Sequence, residues 1–329
     1  MKTKSFRIIS IVMLIVLILA LGTLIAGAVA KANLAKQYPA PGQLVDVGGF
    51  KMHINCMGQG SPTIILAAGT ADFSTTWAYV QPEVAKYTRV CSYDRAGVGW
   101  SEPSPHPRTA NTTVEELHTL LVNARVQGPY VLVGHSLGGM HMRVYAHNYP
   151  DEVVGLIQVD SLHEDQPIRD PEYTKANQDS AGQFRMFALL NSTGIMALAP
   201  QSIPNLGLPD DAYAQWQASL ATTGYFKTTL AEINAQEESC AEVRAMKITS
   251  FGNMPLIVLS AGRPETIASL SDAGNQQRWE VWQALQSELA ALSSEGKQII
   301  AEQSGHMIQL NQPDLVIDAI REMVDAIRK

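Results

Sequence analysis

The chain has 329 residues, 46% of them hydrophobic and 17% charged, with a formal charge of −7. That length suits one large domain or two small ones built on a real apolar core, and an acidic balance with no basic block beyond the extreme N-terminus argues against nucleic acid as a partner. The sequence shows no heptads, internal repeat, CxxC pair or metal-ligand spacing, so a coiled coil, a solenoid or a zinc site is not expected.

In chain order, the first element is an uncharged aliphatic run from Ile8 to Ala30. As a helix rising ~1.5 Å per residue it spans roughly 34 Å, enough for a bilayer core of about 30 Å. Lys2, Lys4 and Arg7 precede it, and basic residues before a first apolar helix tend to stay in the cytoplasm. The rest of the chain is therefore expected on the far side of the membrane, although Lys31 and Lys36 at the other end make the charge bias modest. The competing reading is a signal peptide cleaved at Ala28-Val29-Ala30 near Ala30, giving a secreted protein. The run is longer than a usual apolar signal region of about 7–15 residues, which favours an uncleaved anchor. The expected organisation is an anchor or signal over 1–30, a linker over 31–42 that contains Pro39 and Pro41, and a folded domain over 43–329.

Within that domain, Lys51–Cys56 reads as a half-buried strand and Thr63–Ala68 as a buried one. Trp77–Tyr87 is helix-like, Arg89–Tyr93 a strand, Thr113–Ala124 a helix with Asn111 or Thr112 as possible caps, and Tyr130–Val133 another buried strand. Met140–Asn148 reads as a helix and Val153–Val159 as a strand. From 161 to about 252 no strand pattern is visible, and Tyr213–Leu220 and Thr228–Met246 read as helices. The alternation then resumes with strand Pro255–Ser260, helix Gln276–Leu292, strand Lys297–Ala301 and helix Pro313–Ile327. This is the pattern of an α/β fold: a mostly parallel sheet with helices on both faces. The helical block falls between two strands, where an inserted lid would cover the crevice at the strand carboxyl ends.

Chemistry points first to Ser136. The strand ending Leu132-Val133 runs into Gly134-His135-Ser136-Leu137-Gly138, and a helix follows. This is the context of a nucleophile elbow, in which a strained turn projects the serine hydroxyl and the next backbone N–H, here of Leu137, faces a developing oxyanion. A second donor is expected from the loop Ala67–Ser74, with Thr70 the preferred residue because Gly69 allows close backbone approach. A serine hydroxyl needs a base. Of the eight histidines, only His306, in Ser304-Gly305-His306, follows the last strand and comes after the serine. Two carboxylates compete to orient it. Glu265 follows the strand after the helical block and is slightly preferred, Asp160 ends the strand before it, and Asp272 is a distant third.

Cys56 and Cys91 lie in apolar runs and read as small core residues; a disulfide, if the domain is exported, would join one of them to Cys240. Phe184, Met186, Phe187, Leu189, Leu190, Met196, Trp216 and Phe226 in the helical block could line an acyl pocket, although packing within the block explains most of them.

Together, Gly134–Gly138, the segment Tyr93-Asp94-Arg95-Ala96-Gly97-Val98-Gly99-Trp100-Ser101 and Ser304-Gly305-His306 resemble the α/β-hydrolase superfamily from about residue 43 to the end. The resemblance implies an eight-stranded sheet, a Ser–acid–His triad and no cofactor, with Arg95 pairing structurally rather than reacting. It also implies that Gly262-Arg263-Pro264-Glu265 matches the usual acid position, with Glu in place of Asp, while some lidded members use the end of the preceding strand, which keeps Asp160 in play. Dehalogenases and epoxide hydrolases of this superfamily need an Asp nucleophile, which Ser136 is not. The expected activity is hydrolysis of a small-molecule ester or related acyl bond through an acyl-enzyme. Aminopeptidase, acyltransferase and perhydrolase chemistry on the same triad, or ligand capture by a membrane-tethered protein without turnover, are the competing readings.

Overall fold

The computed structural model describes residues 2–222, 224–268 and 270–329; the side chains of Lys2 and Lys4, which carry part of the charge bias, lie outside the described residues. The first helix, α1 (Lys2–Gln37), continues well past Ala30, so the expected linker over 31–42 is mostly helix. The physical reason is local: Ala32, Leu34, Ala35 and Lys36 are good helix formers. The first breaker is Pro39, which disfavours helical geometry at Tyr38 before it.

The sheet begins with an exposed edge strand, β1 (Gln43–Asp46), whose four residues show no alternation for the sequence to reveal. It continues with β2 (Lys51–Met57), β3 (Thr63–Ala67) and, beyond the short α2 (Gln81–Val84), β4 (Val90–Tyr93). The expected helix over Trp77–Tyr87 is therefore replaced by a 3₁₀ turn at Ser74–Trp77 and this single turn. Next come α3 (Ala110–Asn123), β5 (Tyr130–His135), α4 (Leu137–Asn148) and β6 (Val153–Val159). Thr109, rather than Asn111 or Thr112, occupies the cap position of α3. A helical insertion follows: α5 (Gln166–Arg169), α6 (Pro171–Ser192), α7 (Ile195–Leu198), α8 (Asp210–Thr222) and α9 (Tyr225–Met246). The chain then returns through β7 (Leu256–Ala261), α10 (Asp272–Ala290), β8 (Gly296–Ala301), α11 (Ile308–Asn311) and α12 (Pro313–Ile327).

The eight strands lie in the order β1-β2-β4-β3-β5-β6-β7-β8, with β2 antiparallel to both neighbours and the remaining pairs parallel. Every residue of β3, β4, β5 and β7 is buried, because helices cover both faces of a parallel sheet. One face packs on Val114, Leu117 and Leu120 of α3 and Met140 and Val144 of α4. The other packs on Val84 of α2 and Val316, Ile320 and Val324 of α12. The carboxyl ends of β3, β5, β6, β7 and β8 consequently converge on one edge of the sheet, where the loops can meet.

The cysteine expectation is corrected. Cys56 and Cys91 are directly opposed across β2 and β4 and joined to each other, while Cys240 is free and buried. The pairing depends on the register of two strands, which composition does not reveal.

Candidate active site

The turn after β5 holds Ser136 at φ 52° and ψ −123°, a left-handed-side conformation that a residue with a side chain adopts only under constraint. The constraint is visible on both sides. A Cβ on Gly134 would lie 2.5 Å from the Gly138 carbonyl oxygen, and one on Gly138 2.5 Å from that of Ala67. The Ser136 N–H donates to the Val159 carbonyl at 3.1 Å, and its own carbonyl accepts from Gly139 and Leu162 at 3.0 Å each. Two glycines thus let the chain turn, and β6 holds the turn in place.

Opposite the elbow stands the loop after β3. A Cβ on Gly69 would be 3.0 Å from the Ser136 Cβ, so only glycine lets this backbone pass so close. Arg95, fully buried, donates to the Ala68 carbonyl at 2.6 Å and the Gly69 carbonyl at 2.8 Å. In a trans peptide the N–H points opposite to its carbonyl, so fixing the Gly69 carbonyl on Arg95 turns the Thr70 N–H away from Arg95. Neither the Thr70 nor the Leu137 N–H donates to a partner among the described residues. Arg95 is itself paired with Glu232 of α9 at 2.6 Å, which ties this loop to the insertion. Glycines in the same segment serve packing: a Cβ on Gly99 would strike the Asp94 carboxylate at 2.1 Å. That carboxylate accepts from the Ser74 and Trp100 N–H groups and bonds the fully buried His53 of β2.

His306, in the loop after β8, meets Asp160 and not Glu265. Its Nδ1 lies 2.6 Å from Asp160 Oδ2. The other carboxylate oxygen of Asp160 accepts from the Ala261 N–H at 2.8 Å and the Trp282 indole N–H at 2.9 Å. Asp160 is buried at the end of β6 with φ 42°. Glu265 sits exposed in the loop after β7, close to Gly305, and bonds nothing on His306. The preference for Glu265 is thereby corrected in geometry: β6 delivers its last residue under the imidazole, whereas the loop after β7 runs outward. Asp272 begins α10 and takes no part.

Burial pulls the His306 imidazole down, but the bond to Asp160, that carboxylate's charge and the more distant Glu265 and Asp72 outweigh it, so its pKa is raised above the ordinary value. His135 donates from Nε2 to the His306 carbonyl at 3.0 Å, and its ring stands 4.6 Å from that of His306. Burial and the neighbouring His306 hold His135 well below the usual imidazole range, so it is a neutral prop. Asp72, in the loop facing the elbow, is pushed up to about 6 by burial, against the pull of Arg95 and His306. No hydrogen bond joins the Ser136 hydroxyl to His306 among the described residues. Both line one cavity of about 250 Å³, together with Asp160, Leu162, Tyr173, Trp279 and Trp282. Bonds of this kind often tighten only when substrate is seated.

The apolar residues proposed for an acyl pocket do not line this cavity. Phe184, Phe187, Met196, Trp216 and Phe226 pack in one cluster with Phe73, Val98, Trp100 and Leu310 of the sheet domain, and Met186, Leu189 and Leu190 are exposed. The sequence reading missed Trp282, whose indole bonds Asp160 and stands edge-on to His306 at 5.9 Å. A signal existed in Trp279 and Trp282, two aromatics at i and i+3 on the amphipathic α10. It missed Asp72 as well, for which a loop carboxylate offers no pattern. No group of three or more His, Cys, Asp or Glu among the described residues is arranged to hold a metal ion.

Comparison with known proteins gives the family and the fold. The model of the alpha/beta hydrolase family matches residues 64–319. The uncharacterized protein YqjL of Bacillus subtilis is 27% identical over 267 residues, covering 81% of this chain and 85% of its own. Among solved structures, an epoxide hydrolase of Vigna radiata superposes with a TM-score of 0.64 at 17% identity, covering 86% of this chain and 98% of its own. A thermophilic esterase from Thermogutta terrifontis gives 0.61 at 20%, covering 86% of this chain and 99% of its own. At such identities the two structures speak for the fold.

Proposed function

From the premise that this chain belongs to the alpha/beta hydrolase family, we propose that it is a membrane-anchored serine hydrolase cleaving a carboxylic ester or related acyl bond. The observation that carries the proposal is the convergence of Ser136, strained on its elbow, with a His306 held 2.6 Å from Asp160 in the same cavity. Ser136 Oγ attacks the carbonyl carbon while His306 Nε2 takes its proton, and Asp160 stabilises the imidazolium and fixes its orientation. The Leu137 and Thr70 N–H groups receive the oxyanion. His306 returns the proton to the departing alcohol, leaving an acyl-enzyme, and then activates the water that releases the acid. Epoxide hydrolysis is disfavoured although such enzymes are structural neighbours, because the elbow carries Ser136 where that chemistry needs a carboxylate.

The anchor reading is supported by α1. Its uncharged run is long and apolar enough to cross a bilayer, and Gly27 and Lys31 pack on the insertion, contacts that cleavage near Ala30 would remove or strand. The Cys56–Cys91 disulfide and the basic residues before the run both favour a catalytic domain outside the cytoplasm.

The test is hydrolysis of p-nitrophenyl esters of increasing chain length by the full chain in detergent, beside Ser136→Ala. Turnover that disappears in the variant supports the serine mechanism, and the chain-length profile sizes the acyl site. Equal turnover in both would sink it.

A further inference from the structure

The insertion carries an apolar face with nothing from the chain to cover it. Met186, Leu189, Leu190, Ile195, Leu198 and Leu206 are between 39% and 68% exposed. Single exposed apolar side chains are ordinary, but the first five of these lie on α6 and α7, which pack on each other, and α7 packs on α1. The first three lie at i, i+3 and i+4 on one side of α6. Polarity along the exposed side of that helix changes in one direction. Lys175, Gln178, Asp179, Gln183 and Arg185 come first, and Met186, Leu189 and Leu190 last, as the helix nears Gly194.

Gly194 is where the insertion meets α1. A Cβ on Gly27 would lie 2.7 Å from the Gly194 carbonyl carbon, so the two backbones touch, as small residues permit between helices and their neighbours in a membrane. The Lys31 ammonium donates to the Asn191 carbonyl at 2.6 Å. Thr23, Gly27, Ala30, Lys31 and Leu34 are the shielded residues of α1, a single stripe at helical spacing, while the rest of its apolar run is bare. Gly27 lies in the last turn of the uncharged run that ends at Ala30. If that run fills the bilayer core, the contact with Gly194 and the Lys31–Asn191 bond sit at the membrane boundary.

Resting on the anchor reading above, we propose that this face of the insertion is seated in the lipid surface that α1 crosses. The occupant is the bilayer itself because the face is continuous with the anchor and polarity falls toward the point of attachment. Leu206 also lines a small pocket with Asp72, Thr75, Trp216 and Met307, the residue after His306, so the exposed face reaches toward the site.

The experiment places single fluorescent labels on the full chain in phosphatidylcholine nanodiscs, through Leu17→Cys, Leu189→Cys, Leu198→Cys and, on the exposed side of α3, Val122→Cys. Lipids carrying a quencher high on the acyl chain report contact. The expected result is loss of most emission at 189 and 198, none at 122, and, with a quencher deep in the chain, loss at 17. Quenching at 17 with water-like emission at 189 and 198 would overturn the proposal and leave the anchor standing. No quenching at 17 would overturn the anchor reading and this proposal with it. Leu189→Glu with Leu198→Glu, read through the label at Leu206→Cys, separates a seated face from a label that inserts by itself: seating predicts that quenching at 206 falls, and unchanged quenching contradicts it.

Discussion

The sheet edge and the helical insertion solve opposite problems. At the edge, the carboxylate, the backbone of the elbow and the loop of His306 are held by named hydrogen bonds, while the Ser136 hydroxyl and the Thr70 and Leu137 N–H groups are left open among the described residues. Asp160 accepts from Ala261, Trp282 and His306, the His306 carbonyl accepts from His135, and Ser136 is pinned by β6. On the insertion, the inward aromatics pack against Phe73, Val98 and Trp100 beneath them, several outward apolar side chains are bare, and a buried ion pair, Arg95–Glu232, ties α9 to the segment after β4. The difference teaches that fixed polar geometry and exposed apolar surface are carried by separate parts of the chain. Side chains whose orientation must be held sit at strand ends, and most of the large exposed apolar side chains sit on helices.

Changes at the edge break this comparison hardest. Ser136→Ala is expected to lower kcat for an activated ester by on the order of 10⁶-fold with the fold intact, since no other group replaces the nucleophile. Asp160→Asn is expected to cost on the order of 10³–10⁴-fold. It should also move the acidic limb of the kcat/KM–pH profile. His306 works as a base only when unprotonated, and its pKa is raised because Asp160 outweighs burial. The wild-type limb therefore lies above the ordinary histidine value of about 6.5, and without the Asp160 charge burial prevails and the limb shifts to lower pH. Glu265→Gln, by contrast, should change kcat by less than about threefold, as expected for a charge that acts at a distance through solvent; a loss matching that of Asp160→Asn would reverse the assignment.

Between the two regions, Glu232→Gln leaves Arg95 buried without its anionic partner and is expected to lower stability by about 3–5 kcal/mol in chemical denaturation. Removing the disulfide through Cys56→Ala with Cys91→Ala should cost about 3–4 kcal/mol from the loop it closes, with activity at low temperature retained. The smallest effect belongs to the outer face of the insertion. Leu189→Glu should leave hydrolysis of a water-soluble ester within about twofold of wild type, because that side chain touches neither the cavity nor the sheet.

Most of the sheet was legible because parallel strands buried on both faces read as short unbroken apolar runs, as Thr63–Ala67 and Leu256–Ala261 do. The elbow was legible because the close approach at Gly134 and Gly138 is a local demand that only glycine meets. The acid was not. Asp160 and Glu265 both follow strands, and what separates them is an indole and an N–H more than a hundred residues away in the chain. The disulfide stayed hidden for the same reason, since it rests on the register that sets Cys56 opposite Cys91. The apolar side chains of α6 misled differently: their type suggested packing or a pocket, and only the structure shows that Phe184 and Phe187 turn inward while Met186 and Leu189 turn out.

The most direct test of the central claim is treatment of the full chain with a fluorophosphonate, followed by mass spectrometry of its peptides. The account predicts a single adduct on Ser136, formed faster as pH rises through the raised His306 pKa and lost in His306→Ala. Ester hydrolysis that continues with Ser136 unmodified would contradict it.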